Sequence, residues 1–262
     1  AADADAALTE LVARGAPRII IGGGDGTIVA ALTAIDRAVA ATGAPEPIVG
    51  VLALGTGNAL ARTVRARAPR PRTVGDALAR AATAAPIDVP MLEVLGQRTP
   101  FCGFGLDAQL LADADAVATR LARSRLHLPA VLRYAVAVPM ISVPRFLATP
   151  RPTVTIHRRG PTEHPDGTAA IDGVLWSGAC TMAACSTIPY FGLGLHMFTF
   201  TGGRPDRFQV RAGDPGLAEV IRAAPAVFRG RYLSPRAVTR AVQAGVRSIE
   251  HGNLIDEATV RE

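Results

Sequence analysis

Two short apolar runs stand out near the start of the chain, Arg18-Ile19-Ile20-Ile21 and Ile48–Leu54. The first stops at Gly22-Gly23-Gly24 and the second at Gly55-Thr56-Gly57-Asn58. Brief apolar runs closed by turn residues predict buried strands. The segments around them have helical character. Ala7–Arg14 predicts the end of one helix, and Ile28–Ala41 an Ala-rich helix stopped by Gly43 and Pro45. Ala59–Arg65 and Val74–Ala85 predict two more, separated by a loop at Pro69-Arg70-Pro71. Buried strands alternating with helices predict an α/β nucleotide-binding type of domain with a parallel sheet.

The pattern changes at Ile87. Met91–Leu95, Phe101–Gly105, Thr153–His157, Val174–Ala183, Leu195–Phe200 and Phe208–Arg211 predict strands, interrupted by a helix over Ala108–Arg123. Arg133–Leu147 is apolar, but Pro139 and Pro144 are expected to limit any helix there. Arg158–Ala169 is polar and rich in Pro and Gly, so it predicts an exposed hairpin or loop. Gly173–Gly203 carries no Asp, Glu, Lys or Arg, yet its Ser, Thr, Pro, Gly and His residues favour buried strands joined by a turn over a membrane span. The expected organisation is an α/β domain over residues 1–86 and a mostly antiparallel β domain with a helical insertion over 87–262.

Composition narrows the function classes. The 262 residues are 49% hydrophobic and 19% charged, which excludes wholesale disorder and allows a sizeable core. The net charge is +6 and every basic residue among the 28 is Arg. Without lysine there is neither a Schiff-base nucleophile nor a Walker-type phosphate loop. Arg and Ala enrichment is compatible with codon bias alone, and it also leaves a surface suited to phosphate or anionic lipid. Three Cys make no disulfide framework and point to a reducing compartment. The sequence shows no initiator Met and no signal-peptide pattern.

The chemistry is concentrated in the two glycine turns. In Gly22-Gly23-Gly24-Asp25-Gly26-Thr27 the glycines let a phosphate approach the backbone, and the amides opening the next helix point at it. Thr27 adds a hydroxyl. Asp25 suits this setting if it holds Mg²⁺ against phosphate oxygens; the plainer reading is a tight turn with Asp25 as helix cap. In Leu54-Gly55-Thr56-Gly57-Asn58 the glycines again open space, Thr56 and Asn58 offer hydrogen bonds, and the plainer reading makes Asn58 a cap. Both turns are expected at one edge of the sheet, where open α/β folds bind ligands.

These two motifs, at this separation, resemble the diacylglycerol kinase catalytic domain family, which includes bacterial lipid kinases, sphingosine kinases and ceramide kinases. Gly103-Phe104-Gly105-Leu106-Asp107-Ala108 is similar to a further family segment, and Ile188-Pro189-Tyr190-Phe191-Gly192-Leu193-Gly194 to its tyrosine and triple-glycine turn, here interrupted by Leu193. The resemblance implies an α/β nucleotide domain followed by an antiparallel β-sandwich domain, with the active cleft between them. It implies ATP and Mg²⁺ as cofactors and a lipid hydroxyl as acceptor. Gly23, Gly24, Gly26, Thr27, Gly55, Thr56, Gly57 and Asn58 would hold the nucleotide, with Asp25 as metal ligand and catalytic residue. The family's strand, helix and strand ahead of the first motif are expected to be lacking here. Its acidic structural metal segment is not kept at Pro205–Val210. Its C-terminal aspartate-glycine-glutamate motif has one counterpart, Asp256-Glu257, without the glycine. Either Asp256 is the general base of an altered motif, or the motif lies beyond this chain.

Other residues add less. The five His show no zinc-ligand spacing, and Cys180 and Cys185 read as core thiols. Asp107 either lines the cleft or caps a turn. Arg120, Arg123, Arg125 and Arg133, interleaved with Leu121, Leu126, Val131 and Leu132, suit an anionic membrane surface or a solvated helix face. Few aromatics and no recognition motif argue against nucleic acid. The expected protein is an ATP-dependent lipid kinase, cytoplasmic, in peripheral contact with the inner membrane face. The alternatives are a non-catalytic nucleotide- or lipid-binding module and an enzyme of the NAD kinase or phosphofructokinase type. The lipid and the oligomeric state are not readable.

Overall fold

The computed structural model describes residues 2–65, 73–123, 129–163, 169–199, 201, 207–231 and 237–243. The chain opens with α1 (Ala2–Ala13), β1 (Arg18–Gly23), α2 (Asp25–Thr42), β2 (Ile48–Ala53), α3 (Ala59–Arg65) and α4 (Val74–Thr83). β1 and β2 pair in parallel, with Arg18 opposite Ile48 and Gly23 opposite Ala53. Ile19 and Ile21 of β1 point into a core shared with Val12 of α1 and Leu60 of α3. From α2 the same core takes Ile28, Ala31, Leu32, Ile35 and Ala38, the apolar stripe of a 3.6-residue period. α2 ends where Gly43 turns left-handed, at φ 68°. α4 has a Thr73–Asp76 capping box but buries no residue fully, and Arg18 ties it to the sheet through the Ala81 and Ala84 carbonyls at 2.9 and 3.0 Å.

A hairpin, β3 (Leu92–Val94) and β4 (Gln97–Thr99), joins the two halves of the molecule. From β4, Arg98 pairs with Asp36 of α2 at 2.5 Å and with Glu46 at 2.7 Å. From β3, Leu92 packs on Cys185 and Phe208 of the second half. The chain continues through β5 (Phe101–Gly105), α5 (Leu106–Arg123), α6 (Ala130–Ala137), α7 (Val143–Ala148), β6 (Thr153–Glu163), β7 (Ala169–Ala179), β8 (Met182–Ser186), β9 (Arg207–Gly213), α8 (Leu217–Phe228) and β10 (Ala237–Gln243). The strands form one antiparallel sheet in the order β5-β8-β9-β10-β6-β7. Within this sheet Val154, Ile156 and Leu175 from the β6–β7 end share one core with Ala183 and Ala212 of β8 and β9.

Three expectations are corrected. Residues 133–147 are helical: the backbone stays right-handed helical through Pro139 and Pro144, and the wider π turn between α6 and α7 replaces the regular bonding pattern where the proline amides are lacking. Between α6 and α7 a π turn over Val138–Ser142 carries the chain on, the Val143 amide reaching back to the Val138 carbonyl. The described part of Leu195–Phe200, residues 195–199, is not a strand: Gly192–Gly194 forms a 3-10 turn, and Phe191 and Phe198 fold into a cluster with Ala184. The run Val174–Ala183 divides at Cys180-Thr181, whose amides bond to Pro152 and Gly213 at 2.9 and 3.0 Å. The polar stretch that predicts an exposed hairpin or loop takes the first of those forms, β6 and β7 running antiparallel as far as Glu163 opposite Ala169.

Candidate active site

The two glycine turns lie side by side at the C-terminal edge of the parallel pair, because Gly23 and Ala53 are register partners. The Leu54 amide donates to the Gly23 carbonyl at 3.2 Å. Beyond that bond the backbones touch. A Cβ on Gly55 would stand 2.2 Å from Gly24 Cα, which leaves Gly55 no room for a side chain, while a Cβ on Gly24 would press on Gly55 Cα at 3.2 Å. A Cβ on Gly23 would meet the Thr27 side chain at 2.6 Å. Around Gly26 there is open space. The six-residue motif therefore divides: Gly23 and Gly24 are crowded by their neighbours, while Gly26, the second residue of α2, borders open space.

That start is well suited to an anion. The first α2 bond runs from the Ile28 amide to the Gly24 carbonyl, so the amides of Asp25, Gly26 and Thr27 precede the helical ladder. Gly24 is the N-cap and brings no side chain to satisfy them. The dipole of an 18-residue helix adds to the positive potential there. Gly26 and Thr27 are exposed and Asp25 is half-buried.

Asp25 is thus the first residue of α2 and not its cap. Its Oδ1 accepts the Leu60 amide of α3 at 3.2 Å, which stitches the second turn to the first. Among the described residues its second oxygen has no partner. Asn58 adopts a left-handed backbone at φ 53° and folds its side chain onto its own turn. Its Oδ1 accepts from the Gly55 amide at 2.9 Å, and its Nδ2 donates to the Gly55 carbonyl. In this arrangement Asn58 shapes the turn, and Thr56 is left exposed at its tip. The structure brings Gly23, Gly24, Asp25, Gly26, Thr27, Gly55, Thr56, Gly57 and Asn58 together. Asp256 and Glu257 lie outside the described residues, as do Asp206 and Arg125.

Arg62 is a participant that the sequence reading missed. Its Nε donates to the Gly57 carbonyl at 3.2 Å, and its guanidinium lies against Gly194, where a Cβ would sit 3.1 Å from Cζ. The family-like turn at Gly192–Gly194 thereby meets the second glycine turn through one side chain. Upstream of that turn, buried Ser186 bonds to the Pro100 and Ile188 carbonyls at 3.1 and 2.7 Å. The signal available in sequence was an Arg one helical turn after Asn58, which is uninformative without its distant partner.

Asp107 is the second residue of α5. Its Oδ2 occupies the space a Cβ on Gly103 would need, and its Oδ1 is buried without a hydrogen-bond partner. Burial raises its pKa to about 6, against the lowering effect of the Ala108 and Asp107 amides. Among the described residues no group of His, Cys, Asp and Glu is arranged to hold a metal ion, and no helix is long and apolar enough to cross a membrane.

Comparison with known proteins agrees with these motifs. Residues 1–92 match the diacylglycerol kinase catalytic domain family, which is the resemblance the glycine turns carry. Two similar solved structures are described as "a putative diacylglycerol kinase from Bacillus anthracis str. Sterne". They are 15% and 14% identical, with TM-scores of 0.55 and 0.54, and in each case 92% of this chain aligns with 69% of the other. At that identity the likeness is one of fold. No curated protein sequence matches the chain.

Proposed function

We propose that this protein is an ATP-dependent lipid kinase that transfers the γ-phosphate to a lipid hydroxyl. The observation that carries the reading is the backbone contact of Gly24 with Gly55, which sets two glycine turns around the open start of α2. The amides of Asp25, Gly26 and Thr27 would hold phosphate oxygens, and Thr27 and Thr56 would add hydroxyls from the two sides. Mg²⁺ fits this setting, since it commonly takes one or two carboxylate oxygens and completes its shell with phosphate and water. The free oxygen of Asp25 would hold it, and the ion would supply neutralising charge on the phosphates. Transfer also needs a base for the acceptor hydroxyl; Asp256 is the candidate from this chain. The acceptor would approach from the side of the Gly192–Gly194 turn. A cytoplasmic location with peripheral contact to anionic lipid accompanies this reading, and the division near Ile87 into a nucleotide part and a lipid part belongs to it.

The test is transfer of labelled phosphate from ATP to a panel of diacylglycerol, sphingoid base, ceramide and polyprenol. Asp25→Asn is the control variant. Asn retains an Oδ1 for the Leu60 amide, so the fold is expected to persist while turnover collapses. Turnover near that of the parent, at an unchanged melting temperature, would remove Asp25 from the mechanism. ATP binding without transfer to any lipid would identify a nucleotide-binding module instead.

A further inference from the structure

Cys102 and Cys185 face each other directly across β5 and β8, with Sγ atoms 3.1 Å apart, and both are free thiols. Directly opposed residues of an antiparallel pair have Cα atoms about 4.5–5.5 Å apart, within the span a disulfide bridges. Cys185 is buried, while Cys102 is only partly so. The pair has a built-in polarity. The hydrogen bond shared with Cys185 lowers the Cys102 pKa, opposed by burial and by the nearby Asp107 carboxylate. The Cys185 pKa is raised, first by that same bond and then by burial. The two shifts run in opposite directions and Cys102 is the less buried of the pair, the asymmetry expected of an attacking and a resolving thiol. Cys180 provides a contrast: it is buried, its thiol faces the Met182 carbonyl at 3.3 Å, and burial raises its pKa.

We propose that Cys102 and Cys185 form an oxidisable pair that peroxide converts to a disulfide across β5 and β8. The Cys102 thiolate attacks one peroxide oxygen. The O–O bond breaks and hydroxide leaves, giving a sulfenic acid on Cys102. The Cys185 sulfur then attacks the Cys102 sulfur, the S–S bond forms, and the sulfenic oxygen leaves as water with the Cys185 proton. Two thiols and one peroxide yield one disulfide and two waters, and the two electrons pass from the sulfurs to the peroxide. The bond would clamp β5, the strand that runs directly into α5 and Asp107, to its neighbour.

The experiment uses the full chain, fully reduced and then exposed to hydrogen peroxide in a graded series. Free thiols are alkylated under denaturing conditions and mapped by mass spectrometry. Two of the three cysteines should escape alkylation, the chain should lose about 2 Da as two thiol hydrogens are removed, and the linked peptides should be those of Cys102 and Cys185. Dithiothreitol should restore both thiols. In Cys185→Ala, Cys102 should instead accumulate as a dimedone-reactive sulfenic acid. Retention of all three thiols while added glutathione is oxidised would overturn the proposal, and so would a linkage that includes Cys180. The mapping on the unaltered chain decides the matter even if the variant does not fold.

Discussion

Replacing Gly55 by Ala would place a methyl carbon 2.2 Å from Gly24 Cα and 2.9 Å from Gly24 N. Carbon atoms pack at about 3.5–4.0 Å, so the two turns must part by roughly 1.3 Å or more. Both atoms met belong to the main chain, and no rotamer change relieves the overlap. Parting the turns stretches the Leu54–Gly23 bond and the Asp25–Leu60 bond, each already 3.2 Å long. Overpacking of this kind costs about 1–3 kcal/mol. At about 2–4 °C per kcal/mol for a chain of this size, the melting midpoint should fall by about 2–12 °C. Gly26→Ala is the companion variant. Its methyl meets nothing within 4 Å, and replacing a helical glycine changes stability by at most about 1 kcal/mol, in the favourable direction. That methyl nevertheless stands over the amides proposed for phosphate, so ATP affinity should drop. Thermal melts of both variants and ATP titration calorimetry on Gly26→Ala separate packing from ligand space. A Gly55→Ala protein that melts with the parent would refute the backbone contact. Unchanged ATP affinity in Gly26→Ala would refute the use of the first turn.

Asp107 should give stability a pH dependence of definite sign. Its folded pKa is raised from 3.8 to about 6, so the folded state holds the proton more tightly, and stability declines as pH rises from about 4 through about 6. Asp107→Asn should flatten that slope and stabilise the protein at pH 8 by up to about 3 kcal/mol, two units at about 1.4 each; parallel denaturation profiles at pH 4 and pH 8 would contradict it. If Asp256 is the base, Asp256→Asn should slow transfer by about 10²–10⁴-fold with ATP affinity unchanged, and equal single-turnover rates would exclude the role. Arg120 and Arg123 lie exposed in the last turn of α5, and Leu132, Val136, Met140 and Leu147 are exposed along α6, the π turn and α7. Vesicle co-sedimentation should therefore rise with anionic lipid and fall with salt, since exposed charges are screened within about 8 Å at physiological ionic strength; equal binding to neutral vesicles at low salt would leave the arginines without a part.

How much of this was legible follows from the range over which each feature is determined. β1, β2 and the turns after them are set by residues adjacent in the chain, so Gly22–Thr27 and Leu54–Asn58 could be placed at one sheet edge from pattern alone. The same local reading named Asn58 but could not tell that its amide would turn back to Gly55. Arg62 and Gly194 meet only because α3 and the 192–194 turn are brought together by the rest of the fold. Pro139 and Pro144 read as breakers, since sequence does not reveal that the backbone stays helical through both. Leu195–Phe200 has strand-like composition, but burial of Phe198 beside Phe191 determines its path. α8 escaped notice because Pro225 interrupts its pattern.

Arg62 makes the two sides of the site answerable to each other. Its Nε is held by the carbonyl of Gly57, and its guanidinium rests on the backbone of Gly194. On the proposed function, a nucleotide that draws the second glycine turn inward would shift this side chain, and with it the surface that the 192–194 turn presents to the acceptor. Equilibrium linkage makes the traffic reciprocal: whatever factor nucleotide applies to acceptor affinity, acceptor must apply to nucleotide affinity. The two affinities would then form a single coupled quantity, joined through the Arg62 side chain.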